Sequence, residues 1–83
     1  MPIIYTKHAL IRMKSRNISH FEIEETINEF NQNSKDDFGN IIAQKIIGKY
    51  LIRVIYRIEN QNTVIITAYR TSKVGKYLKS SST

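Results

Sequence analysis

The chain has no cysteine, one proline and three glycines. Without cysteine there is no disulfide framework and no thiolate metal site. Two histidines are too few for a structural zinc cage without carboxylate help. The proline is Pro2, and no stretch is rich in glycine and serine, so nothing reads as an internal linker. No apolar run approaches 18 residues and no segment resembles a signal h-region. Also missing are a glycine-rich phosphate loop, an HExxH pair and a nucleophile elbow. The expectation is a soluble cytoplasmic protein, with no membrane contact, no metal and no cofactor.

What the chain does hold is positive charge. Thirteen lysines and arginines face seven acids, a formal net charge of +6 with a pI near 9.8. Such a balance favours polyanions through steering and counterion release. Its distribution is uneven. Residues 19–30 carry Glu22, Glu24, Glu25 and Glu29 and no lysine or arginine, whereas residues 61–83 carry Arg70, Lys73, Lys76 and Lys79 and no acid.

At 83 residues the chain is one domain, assigned to 1–79, with 80–83 a disordered tail. Ile3-Ile4-Tyr5 reads as a short edge strand. Thr6 caps a helix over Lys7–Arg16, closed by Asn17 in the left-handed conformation. Ser19 and Glu22 form a capping box, and Ile18 and Ile23 a hydrophobic staple. Ile23, Thr26, Ile27 and Phe30 then make an apolar stripe opposite Glu22, Glu25 and Glu29. This second helix is expected to run to Phe30, with a polar loop over Asn31–Gly39.

Three β-rich segments follow: Phe38–Ile47, Tyr50–Ile58 and Thr63–Arg70. Gly48-Lys49 reads as a two-residue hairpin turn and Glu59–Asn62 as a four-residue one. A short helix over Lys73–Leu78, capped by Thr71 or Ser72, closes the chain. The fold class expected is therefore α+β, with two N-terminal helices packed on a three- to four-stranded antiparallel sheet.

Those turns set a register. The first pairs Ala43 with Val54 and Gln44 with Arg53. The second pairs Ile58 with Thr63, Arg57 with Val64, Arg53 with Ala68 and Leu51 with Arg70. With side chains alternating faces, one face collects Ala43, Ile52, Val54, Tyr56, Ile65 and Tyr69 and carries the helices. The other has an apolar floor bearing Arg53, Arg57 and Arg70.

Three arginines on one face suit phosphate, because each guanidinium is planar, permanently charged and bidentate. Equally, they read as solvated strand arginines whose stems shield the floor. His8 on the first helix is a candidate proton-transfer group, since an imidazole exchanges protons near neutral pH, with Arg12 one turn away to hold a phosphate. The competing reading has His8 bonded to a carbonyl of a neighbouring strand. Tyr69 stacks on a base, moves a proton or packs under a helix. Lys73 and Lys76 hold backbone phosphate or simply solvate the last helix. The glutamates of the second helix form an ordinary polar face.

Two segments carry a family resemblance. The opening, His8-Ala9-Leu10-Ile11-Arg12-Met13-Lys14-Ser15-Arg16-Asn17-Ile18-Ser19, and the close, Ile66-Thr67-Ala68-Tyr69-Arg70-Thr71-Ser72-Lys73-Val74-Gly75-Lys76-Tyr77-Leu78, resemble small relatives allied to BrnT and to the RelE-like ribonuclease toxins of bacterial toxin–antitoxin pairs. The resemblance spans nearly the whole chain. It implies a RelE-like sheet and metal-independent cleavage of RNA, often ribosome-bound mRNA, by attack of the 2′-hydroxyl on the adjacent phosphate. A cognate antitoxin would silence the chain by covering its basic face. By position, His8, Arg12, Tyr69 and Arg70 match the signature residues. The expected catalytic set is His8, Arg53, Tyr69 and Arg70, with Arg12, Arg57, Lys73 and Lys76 binding RNA. The alternatives are a non-catalytic nucleic-acid-binding or protein-interaction domain on the same fold.

Overall fold

The protein is described from a computed structural model covering residues 2–77. The tail expected at 80–83 and Leu78, the expected end of the last helix, lie outside the described residues. The elements run β1 (Ile3–Tyr5), α1 (Lys7–Arg16), α2 (His20–Asn28), β2 (Gln32–Lys35), β3 (Ile41–Ile47), β4 (Tyr50–Glu59), β5 (Asn62–Thr71) and α3 (Val74–Tyr77). The class is α+β, with α1 and α2 packed on one face of a single sheet.

Both helices start where side-chain chemistry says they should. The Thr6 hydroxyl accepts from the Ala9 N–H at 3.1 Å and donates to the Ile65 carbonyl at 2.9 Å. One side chain thus caps α1 and ties it to β5. Asn17 takes φ 57° and ends the helix. At α2 the capping box is complete: Glu22 N–H reaches the Ser19 hydroxyl at 3.1 Å and Ser19 N–H reaches the Glu22 carboxylate at 2.9 Å. This helix stops at Asn28, earlier than expected.

The sheet departs from the three- to four-stranded antiparallel, RelE-like expectation. It has five strands in the order β1-β5-β4-β3-β2, and it is mixed, because β1 lies parallel to β5 (Ile3 with Thr63, Tyr5 with Ile65). The added strand β2 sits inside the segment expected to be a loop. Its residues Gln32-Asn33-Ser34-Lys35 have no strand-like composition; they are held at the sheet edge by pairing with β3. The reversal that permits this is closed by Asp36, whose carboxylate accepts from the N–H groups of Phe38 at 2.8 Å and Asn40 at 2.9 Å. Phe38, expected to open a strand, sits on that turn and is 89% exposed.

The Gly48-Lys49 turn forms as expected, with Gly48 at φ 64°, and the β3–β4 register is the anticipated one, Gln44 opposite Arg53. The second hairpin is tighter. Asn60 and Gln61 both take positive φ, 52° and 67°, a two-residue turn of the I′ kind. Ile58 pairs with Thr63 and Arg57 with Val64, as expected. Between Ile55 and Tyr56 the register then shifts: Tyr56 pairs with Ile65 but Ile55 pairs with Thr67, leaving Ile66 as an extra residue. Beyond this bulge every β5 side chain is on the face opposite to the expected one. Arg53 pairs with Tyr69, not Ala68, and Ile52 pairs with Arg70.

The core follows from that switch. Ala9, Met13, Ile18 and Ile23 from the helical layer pack on Ala43, Ile52, Val54, Tyr56, Ile65 and Ala68 of the sheet. Ala68 is fully buried under the helices, where its small side chain lets α1 approach β5 closely. Lys45 reaches the Glu29 carbonyl at 3.1 Å and lies 4.0 Å from the Glu25 and Glu29 carboxylates, docking the acidic helix on β3.

Candidate functional site

The bulge divides the expected site residues between the two faces of the sheet. On the face away from α1 and α2, register aligns a row of polar side chains across four strands: Gln32 opposite Gln44, Gln44 opposite Arg53, and Arg53 opposite Tyr69. The short α3 brings Lys76 and Tyr77 to the same place. With Ser34, Gln32, Gln44, Arg53, Lys76 and Tyr77 line a hollow of about 350 Å³.

Arg53 is at its centre. The guanidinium carbon lies 4.4 Å from the Tyr77 ring centroid and 5.1 Å from that of Tyr69, and the two rings meet edge to face at 6.0 Å. Its Nη1 donates to the Tyr69 hydroxyl. Two aromatic faces and a phenol oxygen therefore fix its direction. Because Arg53 donates into the phenol oxygen, the phenolic hydrogen itself remains free to turn toward a ligand. Burial pushes the Tyr69 phenol up from its ordinary value, against the nearby Arg53 charge and with a further upward push from Tyr77. Tyr69 is therefore a neutral donor at physiological pH.

Among the described residues, two polar atoms here have no partner. Arg53 Nε, a donor, and Gln44 Oε1, an acceptor, are both buried and unpaired. Gln44 is only 3% exposed, and its amide nitrogen makes a single long bond, 3.5 Å, to Gln32 Oε1. Buried polar groups are normally satisfied. A donor and an acceptor left open on directly opposed residues, within a hollow flanked by a lysine and a tyrosine, are suited to a planar polar ligand carrying negative charge nearby.

The remaining expected residues lie elsewhere. His8 and Arg12 line a second hollow of about 340 Å³ on the helical side, with Arg16, Thr67, Ala68 and Tyr69. Arg70, moved by the bulge, lies over the Tyr50 ring at 4.9 Å and borders a third hollow. The expected gathering of His8, Arg53 and Arg70 in one hollow therefore does not form; Tyr69 is the residue placed between the two sides. The register expected from the turns sets Tyr69 on the core face and Arg70 beside Arg53, and the one-residue insertion at Ile66 reverses both. Arg57 is drawn away by Glu59, which it meets at 2.9 Å. Lys73 is exposed, its N–H taken by the Thr71 hydroxyl at 3.0 Å, and it lines none of these hollows.

Sequence reasoning left Gln44, Gln32 and Arg16 out of the site, while Tyr77 was weighed as closing one side of a cleft or simply anchoring the last helix, and it lines the hollow. Gln44 had a signal: it is an uncharged polar residue within an apolar strand, already paired with Arg53 by the hairpin. Arg16 repeats the four-residue interval from Arg12. Gln32 had none, since its strand has no signature of its own.

Fold and site together define a small α+β domain with two helices on one sheet face and a polar, arginine-centred hollow on the other. The chain belongs to the family described as Domain of unknown function (DUF4258), whose model matches residues 5–70. That span includes Gln44, Arg53, Tyr69 and the whole of α1, and stops short of α3. No curated protein and no solved structure matches the chain. Among the described residues no cluster of His, Asp or Glu is arranged to hold a metal ion, and no helix is long and apolar enough to cross a membrane.

Proposed function

We propose that the protein binds single-stranded RNA on the open face of its sheet and cleaves it there without a metal. The observation that carries the binding is the unpartnered pair, Arg53 Nε and Gln44 Oε1, in one hollow with Lys76 and Tyr77. The edge of an unstacked base presents the complementary donor and acceptor, and Tyr77 offers a ring beside it. Lys76 and the outward N–H groups of Arg53 supply charge for the adjoining phosphate. The net charge of +6 supplies the long-range attraction.

The cleavage reading is favoured by the Arg53–Tyr69 pair. The 2′-oxygen attacks the adjacent phosphorus and its proton passes to water. Arg53 faces the charge that develops on the phosphorane. The P–O5′ bond breaks, and the Tyr69 hydroxyl gives its proton to the leaving 5′-oxygen. The products are a 2′,3′-cyclic phosphate and a 5′-hydroxyl. The resemblance of the terminal motifs to toxin ribonucleases supports the same reading, with an antitoxin covering the open face as partner.

The test is incubation of the purified protein with a labelled single-stranded RNA in excess chelator, with and without ribosomes. Cleavage to cyclic-phosphate ends is expected. Tyr69→Phe should keep binding while slowing cleavage by about 10²-fold or more, and Arg53→Ala should lose both. Salt-sensitive binding without scission selects the non-catalytic RNA-binding reading. No RNA binding near physiological salt overturns the proposal. If the toxin reading holds, induced expression arrests growth and Arg53→Ala relieves the arrest.

A further inference from the structure

The helical side carries a second set of cations that the open-face site does not use. His8, Arg12 and Arg16 recur at four-residue intervals along one side of α1, about 6 Å per step at the rise of an α-helix. The stripe faces the part of β5 that, among the described residues, has no strand on its outer side, since β1 pairs with Thr63, Val64 and Ile65. Between helix and strand lie two adjoining hollows of about 340 and 450 Å³ that share Arg16. The second is bordered by Arg70, which is steered by the Tyr50 ring at 4.9 Å, and by the Ser15, Thr71 and Ser72 hydroxyls.

No acidic residue lines either hollow, and among the described residues Arg12, Arg16 and Arg70 form no ion pair. Three guanidinium groups left without a counter-charge on a domain whose acids are concentrated on α2 form a track for a repeating anion. Its spacing suits successive phosphates of a stretched strand, and its hydroxyls suit sugar and phosphate oxygens.

Tyr69 connects this track to the open face. It lines the first hollow and also packs on Arg53 and Tyr77. A strand leaving the row Gln32–Gln44–Arg53–Tyr69 reaches the free edge of β5 at Tyr69, and the α1 stripe lies directly round that edge.

We infer that the groove between α1 and β5 is a second phosphate-binding subsite, which holds the sugar–phosphate backbone of an RNA strand as it continues round the β5 edge from the open-face site. The inference rests on the RNA reading given above. It assigns Arg12, Arg16 and Arg70 to backbone phosphates outside the reacting nucleotide, and it makes the preferred ligand longer than the few nucleotides the open face can cover.

The test uses fluorescently labelled 2′-O-methyl oligouridylates of 4 and 12 nucleotides, which lack the attacking hydroxyl, and a doubly substituted chain, Arg12→Ala with Arg16→Ala. Both positions are exposed, so folding should survive, and thermal melting checks this. The double variant should bind the 4-mer as wild type does and the 12-mer about tenfold more weakly. The slope of log K against log salt for the 12-mer should become shallower by about 1.4, the value expected when two phosphates of a single strand are no longer neutralised. Arg12→Lys with Arg16→Lys should restore most of both.

If the double variant binds the 12-mer with wild-type affinity and slope, the groove is overturned and the open-face site stands. If wild type binds the 12-mer but not the 4-mer, and the double variant loses the 12-mer, the open-face reading fails and the groove remains as the binding site. If neither oligomer binds, both fail.

Discussion

Replacing Gln44 with methionine should make the protein more stable and less functional. The Gln44 side chain is buried to 3% exposure, its Oε1 has no partner, and its Nε2 makes only the 3.5 Å contact to Gln32. A buried acceptor without a donor costs about 1–3 kcal/mol, whereas a bond as long as 3.5 Å returns well under the roughly 1 kcal/mol of a good one. Methionine matches glutamine in length and flexibility, fills the same space and carries no strong acceptor. Removing the whole amide therefore should stabilise the fold by about 1 kcal/mol. For a domain of this size that corresponds to a rise in Tm of roughly 4–8 °C. Differential scanning calorimetry and urea titration at pH 7 measure it, the urea slope staying unchanged if only stability has moved. RNA binding by the same variant should fall, because the acceptor held open for the ligand is gone. A Tm that stays level or drops would show that the amide is satisfied in solution, and the argument that the hollow awaits a ligand would lose its basis. A higher Tm with undiminished RNA binding would separate the two claims, leaving the energetics correct and the role of Gln44 wrong.

Gln61 is a non-glycine residue at φ 67° in the β4–β5 turn, so Gln61→Gly should stabilise by up to about 1 kcal/mol as strain is relieved; chemical denaturation checks it, and a loss of stability would argue against the I′ geometry. Ile23, fully buried between α2 and the sheet, should cost about 2–5 kcal/mol on truncation to alanine, enough to unfold a domain this small in part at 37 °C by circular dichroism. The phenols of Tyr5, Tyr56 and Tyr69 are all raised, in each case chiefly by burial. In the unfolded chain they ionise near pH 10, so above that pH the folded state holds more protons. The stability this contributes is complete below pH 10 and is lost as pH rises through the higher folded values. Ultraviolet titration should show part of the tyrosine absorbance change delayed beyond pH 10 and arriving with unfolding; five tyrosines titrating together near pH 10 in the folded protein would contradict it.

Local chemistry was the legible layer of this sequence. Thr6, Asn17, Ser19 with Glu22, and Gly48 each specify a helix end or a turn through atoms within four residues of themselves, and each behaves in the fold as its chemistry requires. The β3–β4 register was readable for the same reason: a two-residue turn leaves no freedom of alignment. Three things were not readable. The strand Gln32–Lys35 is a strand because β3 offers it an edge, and no property of its own residues says so. The parallel pairing of Ile3–Tyr5 depends on residues far along the chain. The bulge at Ile66 inserts one residue among Ile65, Ile66 and Thr67, all of which suit either face, so composition did not mark the slip. That single residue decided the site, exchanging Arg70 for Tyr69 beside Arg53. A pattern of alternation locates a strand well, yet its face assignment is only as good as the assumption that no residue is skipped.

The clasp between Thr6 and Ile65 joins residues 59 positions apart, and it bears on how the chain comes to be folded at all. While the protein is being synthesised, α1 and α2 emerge first and find no sheet to rest on. β1 has no neighbour until the last strand has left the ribosome. Shelter for Ala9 and Met13 therefore arrives only with β5, and their docking should be a late, concerted event rather than a stepwise build-up. Nascent chains halted before β5 would expose the apolar side of α1, whose sheet partner is β5, which makes them natural prey for chaperones and proteases.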